Sequence, residues 1–427
     1  MRTASVSVLP TPVPRVARAH TARTDAPRPR PLRHNHIVTP SLQVAESAAA
    51  GVFGAVRVHG PIARDTIARY TSLSIATVNR QVSALLDADL LRERADLAAA
   101  GAVGRPRIPV EVNHEPYLTL GIHIGARSTS IVATDLLGRA LDTVETPTPR
   151  GGQQAALAAL AGSAARYLSR WHRRRTLAVG VTIGGVVNSA TGHVDHHRLG
   201  WSAAPVGPVL AEALGLPVSV AAHVDAMAGA ELLLAARGRG AGNASRLYVY
   251  ARETVGYALV IDGRVHSPAS GPGTIAALPA HSELLGGSGA LESTVSDEAV
   301  LAAARRAGVL PDGGAPGTAM SALLAAARAG NPAARQLLAE RARVLGESVA
   351  LLRDLLNPDE LVVGGQAFTD YPEAMEVLQA AYAERSVLAP RSIRVTSFGG
   401  RVQEAGAGVV ALAALYADPI KALRRAG

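Results

Sequence analysis

Residues Pro61 to Arg107 (PIARDTIARYTSLSIATVNRQVSALLDADLLRERADLAAAGAVGRPR) constrain the fold more than any other stretch of the chain. Ile67, Ala68 and Leu73 have the spacing of a helix that turns tightly into a second one. Ser74 is a natural N-cap for that second helix, because its hydroxyl can accept a hydrogen bond from an unpaired first-turn N–H. Val78, Val82, Leu85 and Leu86 recur at helical spacing and form the stripe expected to be buried. Ile75, Thr77, Asn79, Arg80 and Gln81 are then left to the outer face and the N-terminal end. Leu90, Leu91 and the polar run to Gly104-Arg105-Pro106-Arg107 fit a β-wing whose cations, Arg105 and Arg107, suit phosphate contacts. In a winged helix-turn-helix the start of the second helix meets base edges in the major groove. A small helical subdomain that merely packs, or binds protein, is the competing reading; it does not explain why helix pair, cap, wing and basic flank occur together.

A chain of 427 residues implies two to four domains. Hydrophobic residues make up 48% and aromatics only 3%, so the cores must be aliphatic. Charge is placed unevenly. Residues 1–44 hold seven Arg against Asp25, and the first 113 residues carry +7 of the net +9. That suits a polyanionic partner at one end of the chain. The absence of Cys excludes disulfides, Cys-based zinc sites and thiol nucleophiles. No apolar run has the length of a membrane span and no signal-like segment opens the chain, so the expected location is the cytoplasm, at the nucleoid, with no membrane partner.

Residues 1–40, rich in Pro and Arg, read as an unstructured basic arm placed to touch DNA phosphates, or as sequence upstream of the true start. Residues 42–57 read as the first helix of the DNA-binding unit. From Tyr117 the pattern becomes α/β: strands over 118–125, 128–136 and 141–149, a helix over 153–171, and a strand over 177–187. A second round of strands begins at 246–267. Helices are expected at 296–306, 319–328, 332–356 and 372–384, and short strands at 360–364 and 392–397.

LRHN (32–35), GRP (104–106), LGIHIGARSTSIVATDLLG (120–138), GVTIGGVV…GHVDHHRLGW (180–201), LGLPVSVAAHVDAMAGAELL (214–233), GPGTIAALPAHSELLGGSGALES (271–293), NPDELVVGG (357–365) and FGGRVQEAGAGVVAL (398–412) follow one another in a familiar order. Together they resemble the ROK family of bacterial sugar-responsive repressors and sugar kinases, in its xylose-repressor-like branch. The resemblance implies an α/β chain with an N-terminal winged helix-turn-helix and a two-lobed actin/hexokinase-like (ribonuclease H-like) body. The expected divisions are an arm at 1–40, a DNA-binding domain at 41–113, a first lobe at 114–221 with 396–427, and a second lobe, for dimerisation and effector binding, at 222–395.

The departures matter as much. Where the family carries a DxGxT phosphate motif, this chain has His123, Gly125 and Arg127. The second phosphate loop, a glycine run in the family, reads ARETVGYA (251–258), with Arg252, Glu253 and Thr254 where glycines would let backbone N–H groups approach phosphate. The Asn-Asp pair that includes the kinase base is replaced by Ala222 and His223. The four zinc ligands are replaced by Ala277, Glu283, Leu285 and Ala290, and a sugar-contacting Glu by Thr274. Apolar Leu284, Leu285 and Leu291 are candidates to order that loop by packing. His193-Val194-Asp195-His196-His197 offers metal-ligand residue types. Neighbours on a strand point to opposite faces, however, so chelation is disfavoured.

The leading expectation is therefore a non-enzymatic transcriptional regulator of carbohydrate genes, without cofactor, metal or catalytic residues. Its DNA-contacting residues would be Ser74, Ile75, Thr77, Asn79, Arg80, Gln81, Arg105 and Arg107. A homodimer, or a dimer of dimers, would grip a pseudo-palindromic operator in double-stranded DNA. A sugar or sugar phosphate would bind near Gly184, Gly185, Asn188, His223 and Asp225. The alternatives are a ligand-independent DNA-binding scaffold and a sugar kinase fused to a DNA-binding domain.

Overall fold

The computed structural model describes residues 36–44, 47–98, 108–235, 244–268, 271–313 and 316–426. Three helices come first: α1 (Ala48–His59), α2 (Arg64–Thr71) and α3 (Ile75–Asp87). Ser47 caps α1 by accepting from the Ala50 N–H at 3.2 Å. Ser72 takes the left-handed conformation (φ 54°) just after α2, so that only residues 72–74 separate it from α3. Val52, Phe53 and Val56 of α1, Ile67 of α2 and Val78, Val82 and Leu85 of α3 share one hydrophobic core. β1 (Leu91–Glu93) and β2 (Val110–Val112) pair antiparallel beside it, and Ile62 bridges to Val110.

The first large sheet contains β3 (Tyr117–Ile124), β4 (Ser128–Thr134) and β5 (Ala140–Pro147). α4 (Gln153–Leu168) leads on to β6 (Arg175–Ile183). A small antiparallel sheet follows, formed by β7 (Val186–Asn188), β8 (His193–His196) and β9 (Trp201–Ala204), then α5 (Val206–Leu214) and β10 (Val218–Ala222). The order across the large sheet is β10-β6-β3-β4-β5, antiparallel for the β3–β4–β5 meander and parallel for β3–β6–β10. α6 (His223–Leu233) leaves this sheet for the second one.

The second sheet repeats the plan with β11 (Arg246–Ala251), β12 (Val255–Ile261) and β13 (Arg264–His266); the short β14 (Gly273–Thr274) pairs with β12. α7 (Leu291–Val295), α8 (Asp297–Arg306), α9 (Pro316–Arg328) and α10 (Pro332–Leu356) precede β15 (Glu360–Gly364), α11 (Gln366–Thr369), α12 (Met375–Arg385) and β16 (Ile393–Val395). The order β13-β12-β11-β15-β16 matches the first sheet strand for strand. The chain then returns as α13 (Val402–Ala417) and α14 (Pro419–Arg425). Glycines let α13 lie against the first sheet. A Cβ at Gly180 would come within 2.2 Å of the Ala411 nitrogen, and one at Gly121 within 2.8 Å of the Gly408 nitrogen. Among the described residues no single helix is long and apolar enough to cross a membrane; α13 and α14 together reach that length only across a 111° bend, and α13 is core.

Two expectations are corrected at the N-terminal end. Residues 36–40, expected to close an unstructured arm, and 42–44, expected in a helix, form an extended strap. Val38 N–H donates to Val218 O (2.9 Å) and Val218 N–H to His36 O (2.7 Å), which adds the strap to the β10 edge. Farther along, Val265 N–H donates to Leu42 O and Val44 N–H to Gly263 O, both at 2.9 Å, which adds it beside β13. Unpaired edge groups on both sheets outcompete the helix that the apolar spacing suggested. Leu42 is buried against α6, where a Cβ at Gly229 would lie 3.0 Å from its Cδ2. Residues 1–35 of the expected arm lie outside the described residues.

Candidate functional site

The start of α3 is the first candidate surface. Ser74 Oγ accepts from the Thr77 N–H (3.2 Å) and donates to Thr77 Oγ1 (3.0 Å), which fixes the first turn. With Val78, Val82 and Leu85 fully buried, helical geometry turns Ile75, Asn79 and Arg80 outward. Ile75 is 51% exposed, although it is a large apolar side chain. Thr77 and Gln81 are half-buried at its margin. Arg80 is exposed and, among the described residues, forms no ion pair. The cations in and just after β1 differ: Arg92 pairs with Glu111 (2.7 Å) and Glu115 (2.8 Å), and Arg94 with Asp96 (2.6 Å) and Glu111 (2.9 Å). Arg105 and Arg107 lie outside the described residues.

This helical unit is tied to the body at two helix ends. Arg57 of α1 donates to Leu233 O at the end of α6 (2.8 Å) and stacks 4.2 Å from the ring centroid of Tyr416 on α13. Ser47 Oγ reaches Ala417 O (3.3 Å).

The second candidate is the cleft between the two large sheets, a cavity of about 390 Å³. Gly184, Gly185 and His223 line it, together with His123, Gly125, Arg127, Arg252, Glu253 and Thr274. Two expected members do not. Asn188 closes β7, is exposed, and accepts from the Ala190 and Thr191 N–H groups at 3.1 and 3.2 Å, which shapes a turn. Asp225 is buried in the first turn of α6; positions i and i+2 face apart on a helix, so His223 lines the cleft and Asp225 does not.

Burial sets the protonation states here. His123, bonded to Thr182 Oγ1 at 3.1 Å, is held well below the ordinary imidazole value by desolvation and then by its neighbour His223. Desolvation, with some help from His196, lowers His223 to about 4, so its imidazole is neutral at pH 7. Desolvation raises Asp225 to about 6, against the opposing hydrogen bond of Ser267. His196 is lowered too, chiefly by burial. Its Nε2 and His223 Cε1 would lie 3.3 and 3.5 Å from a Cβ at Gly184, so a side chain there would crowd both imidazoles.

The residues do not fit a magnesium nucleotide. His123 and Arg127 bring no carboxylate to hold the metal. The 252–254 turn is closed by Arg252 N–H to Thr254 O (3.0 Å) and carries charged side chains where a glycine run would cradle phosphate. They do not fit zinc either. Of Ala277, Glu283, Leu285 and Ala290 only Glu283 has a donor atom, and among the described residues no three His, Cys, Asp or Glu are placed around one ion. His193 to His197 alternate in burial along β8, as strand geometry requires. Packing holds the 282–291 loop instead: Leu285 and Leu291 are buried, Leu285 N–H donates to Ser282 Oγ (3.1 Å), and Arg306 donates to Leu285 O (2.8 Å).

Residues 119–418 match the ROK family. The chain belongs to the ROK family. It is 71% identical over 400 residues, 92% of this chain and 91% of the relative, to a transcriptional regulator of Mycobacterium tuberculosis strain H37Rv. Over 391 residues it is 22% identical to the DNA-binding transcriptional repressor Mlc of Escherichia coli K12, covering 86% of this chain and 93% of Mlc. A solved ROK family transcriptional regulator, described as a homolog of the E. coli protein, shares its fold with a TM-score of 0.70 at 22% identity, over 88% of this chain and 96% of that one. The two matching sheets are thus the actin/hexokinase-like body of a ROK protein.

The sequence drew attention to His123, Arg127 and Arg252 as lost kinase positions. It gave no sign that Arg198, Tyr250, Glu292 and Gln403 would join them in the cleft. These come from four separate elements, and only the fold brings them together.

Proposed function

We propose that this ROK protein is a DNA-binding transcriptional regulator with no phosphotransfer activity. In this reading α2, the 72–74 turn and α3 are a helix-turn-helix, and β1 with β2 is its wing. Ser74, Ile75, Thr77, Asn79, Arg80 and Gln81 meet base edges and nearby phosphates, and Arg105 and Arg107 add phosphate contacts from the wing. The observation that carries it is the start of α3, a capped first turn presenting exposed Ile75, Asn79 and Arg80, the last two without a hydrogen-bond or ion-pair partner among the described residues. Overall similarity to proteins named as transcriptional regulators supports the same reading.

The body is proposed to pair two copies and to hold a sugar or sugar phosphate between its sheets. A ligand shifts DNA affinity only if it binds the two arrangements of the protein unequally. The strap supports such coupling, since residues 36–44 join the free edges of both sheets a few residues before α1. A change in the angle between sheets would then reach α1 through the backbone.

Selection of bound sites from a random duplex library with the full-length protein tests the proposal. Enrichment of an inverted repeat, with half-sites spaced by one or two helical turns, is expected. Recovery of no sequence above background would overturn it.

A further inference from the structure

Arg252 differs from the other cations of the cleft. Arg127 faces Glu253 at 3.4 Å and Arg198 faces Glu292 at 3.0 Å, so each has a counter-charge. Among the described residues no carboxylate lies within ion-pair distance of Arg252. Its Nη1 donates to Gln403 Oε1 (3.0 Å), and its Nε is buried with no hydrogen-bond partner. Arg252 is half-buried, and Glu253, Asp297 and Glu145 lie near enough to favour its charge without an ion-pair contact, so the fold holds a cation whose fork is not closed by a carboxylate.

The surroundings do hold it. Arg252 O accepts from Asp297 N–H (2.9 Å) and from Arg341 Nη2 (3.3 Å), while Arg341 and Asp297 form a buried ion pair at 2.6 Å. Gln403, itself buried, donates its amide to Tyr250 O–H (3.0 Å) and so keeps its carbonyl oxygen turned toward Arg252. The loop that presents the guanidinium is therefore fixed before any ligand arrives, which lowers the cost of ordering on binding. The same cleft is lined by the neutral imidazoles of His123 and His223, Thr274 and the Gly184–Gly185 turn, which supply uncharged hydrogen-bonding groups beside the Arg127–Glu253 and Arg198–Glu292 pairs.

We propose that the interlobe cleft binds a compact oxyanion, a phosphate monoester or a carboxylate, directly on the Arg252 guanidinium. The Nη donors left after the Gln403 bond suit an oxygen of such a group, and the uncharged lining groups suit the hydroxyls of the molecule that carries it. This rests on the reading of the cleft as an effector site. It adds the charge of the effector and the residue that recognises it.

The test uses the full-length protein, with thermal stability and calorimetric affinity measured against inorganic phosphate, glucose 6-phosphate, gluconate and glucose, at ionic strength matched with chloride. Stabilisation by the anions and not by glucose is expected, and the relative response to glucose 6-phosphate and gluconate tells phosphate from carboxylate. R252Q should weaken anion binding roughly 10- to 100-fold, R252K by less, and R80A not at all. Phenylglyoxal labelling of the wild-type chain, read by mass spectrometry, should show Arg252 protected by the bound anion; this holds the proposal to account even if the variants fold poorly. Glucose stabilising wild type and R252Q alike, with no response to anions, would overturn the oxyanion and leave the effector site standing. An anion response lost in R80A and kept in R252Q would move the anion to α3 and overturn the proposal. No response to any of the four would count against both the oxyanion and the effector reading.

Discussion

A double-mutant cycle between Leu42 and Gly229 tests whether the strap is a specific latch. Leu42 is 6% exposed, and a Cβ at Gly229 would meet its Cδ2 at 3.0 Å and its Cδ1 at 3.2 Å. Leu42→Ala removes buried carbons and leaves a cavity, costing about 2–4 kcal/mol. Gly229→Ala gains about 1 kcal/mol of helix propensity, but overpacking against Leu42 costs about 1–3 kcal/mol. Its net effect in the wild-type background is therefore near zero or destabilising. With Leu42 already cut to Ala the clash disappears, and Gly229→Ala should stabilise by about 1 kcal/mol. The coupling is then about 1–3 kcal/mol in favour of the double mutant. The assay is native-state hydrogen exchange at the strap-bonded amides of Val38, Val44, Val218 and Val265, because strap release is a local opening. Additive effects, or amides that exchange at wild-type rates in Leu42→Ala, would refute the latch.

Two further predictions concern the two candidate sites. Ser74→Ala should cost about 1 kcal/mol, speed exchange of the Thr77 amide and weaken DNA binding by fraying the turn that carries Ile75; an unchanged Thr77 amide would deny the cap its role. His223 titrates at about 4 in the fold and near 6.5 when unfolded, so its penalty is absent above pH 6.5, grows as pH falls and is complete by about pH 4. Asp225, raised to about 6, acts in the opposite sense, gaining stability as pH falls below 6. The stability of His223→Gln relative to wild type should accordingly rise by up to about 3 kcal/mol between pH 7 and pH 4, measured by urea unfolding; a constant difference would place His223 in water.

The element order was legible because its signals are local. The strands 117–124 and 128–134, the Ser74 cap and the long helix 332–356 each declare themselves within a few residues by period, cap or Pro at the start. The strap was not legible, since HIVTPSLQV has neither strict alternation nor a turn signal, and its conformation is decided by two sheet edges more than 170 residues away. The cleft was legible only in part. Motif positions point to His123, Arg252 and His223, whereas Asn188 and Asp225, close to those motifs in sequence, are carried elsewhere by the turn after β7 and the rotation of α6. Gln403, which orients Arg252, comes from α13 and has no sequence neighbour in the site.

The most direct measurement is the affinity of full-length wild type and Arg80→Ala for a selected duplex, by fluorescence anisotropy across a salt series. Arg80 is exposed, forms no ion pair among the described residues and contributes nothing to the core, so the variant should fold normally. A loss of about 1–3 kcal/mol for the selected site is expected if Arg80 reads a base edge, and a salt slope lower by about 1 if it grips a phosphate. Wild-type affinity with a wild-type salt slope would contradict the placement of α3 on DNA.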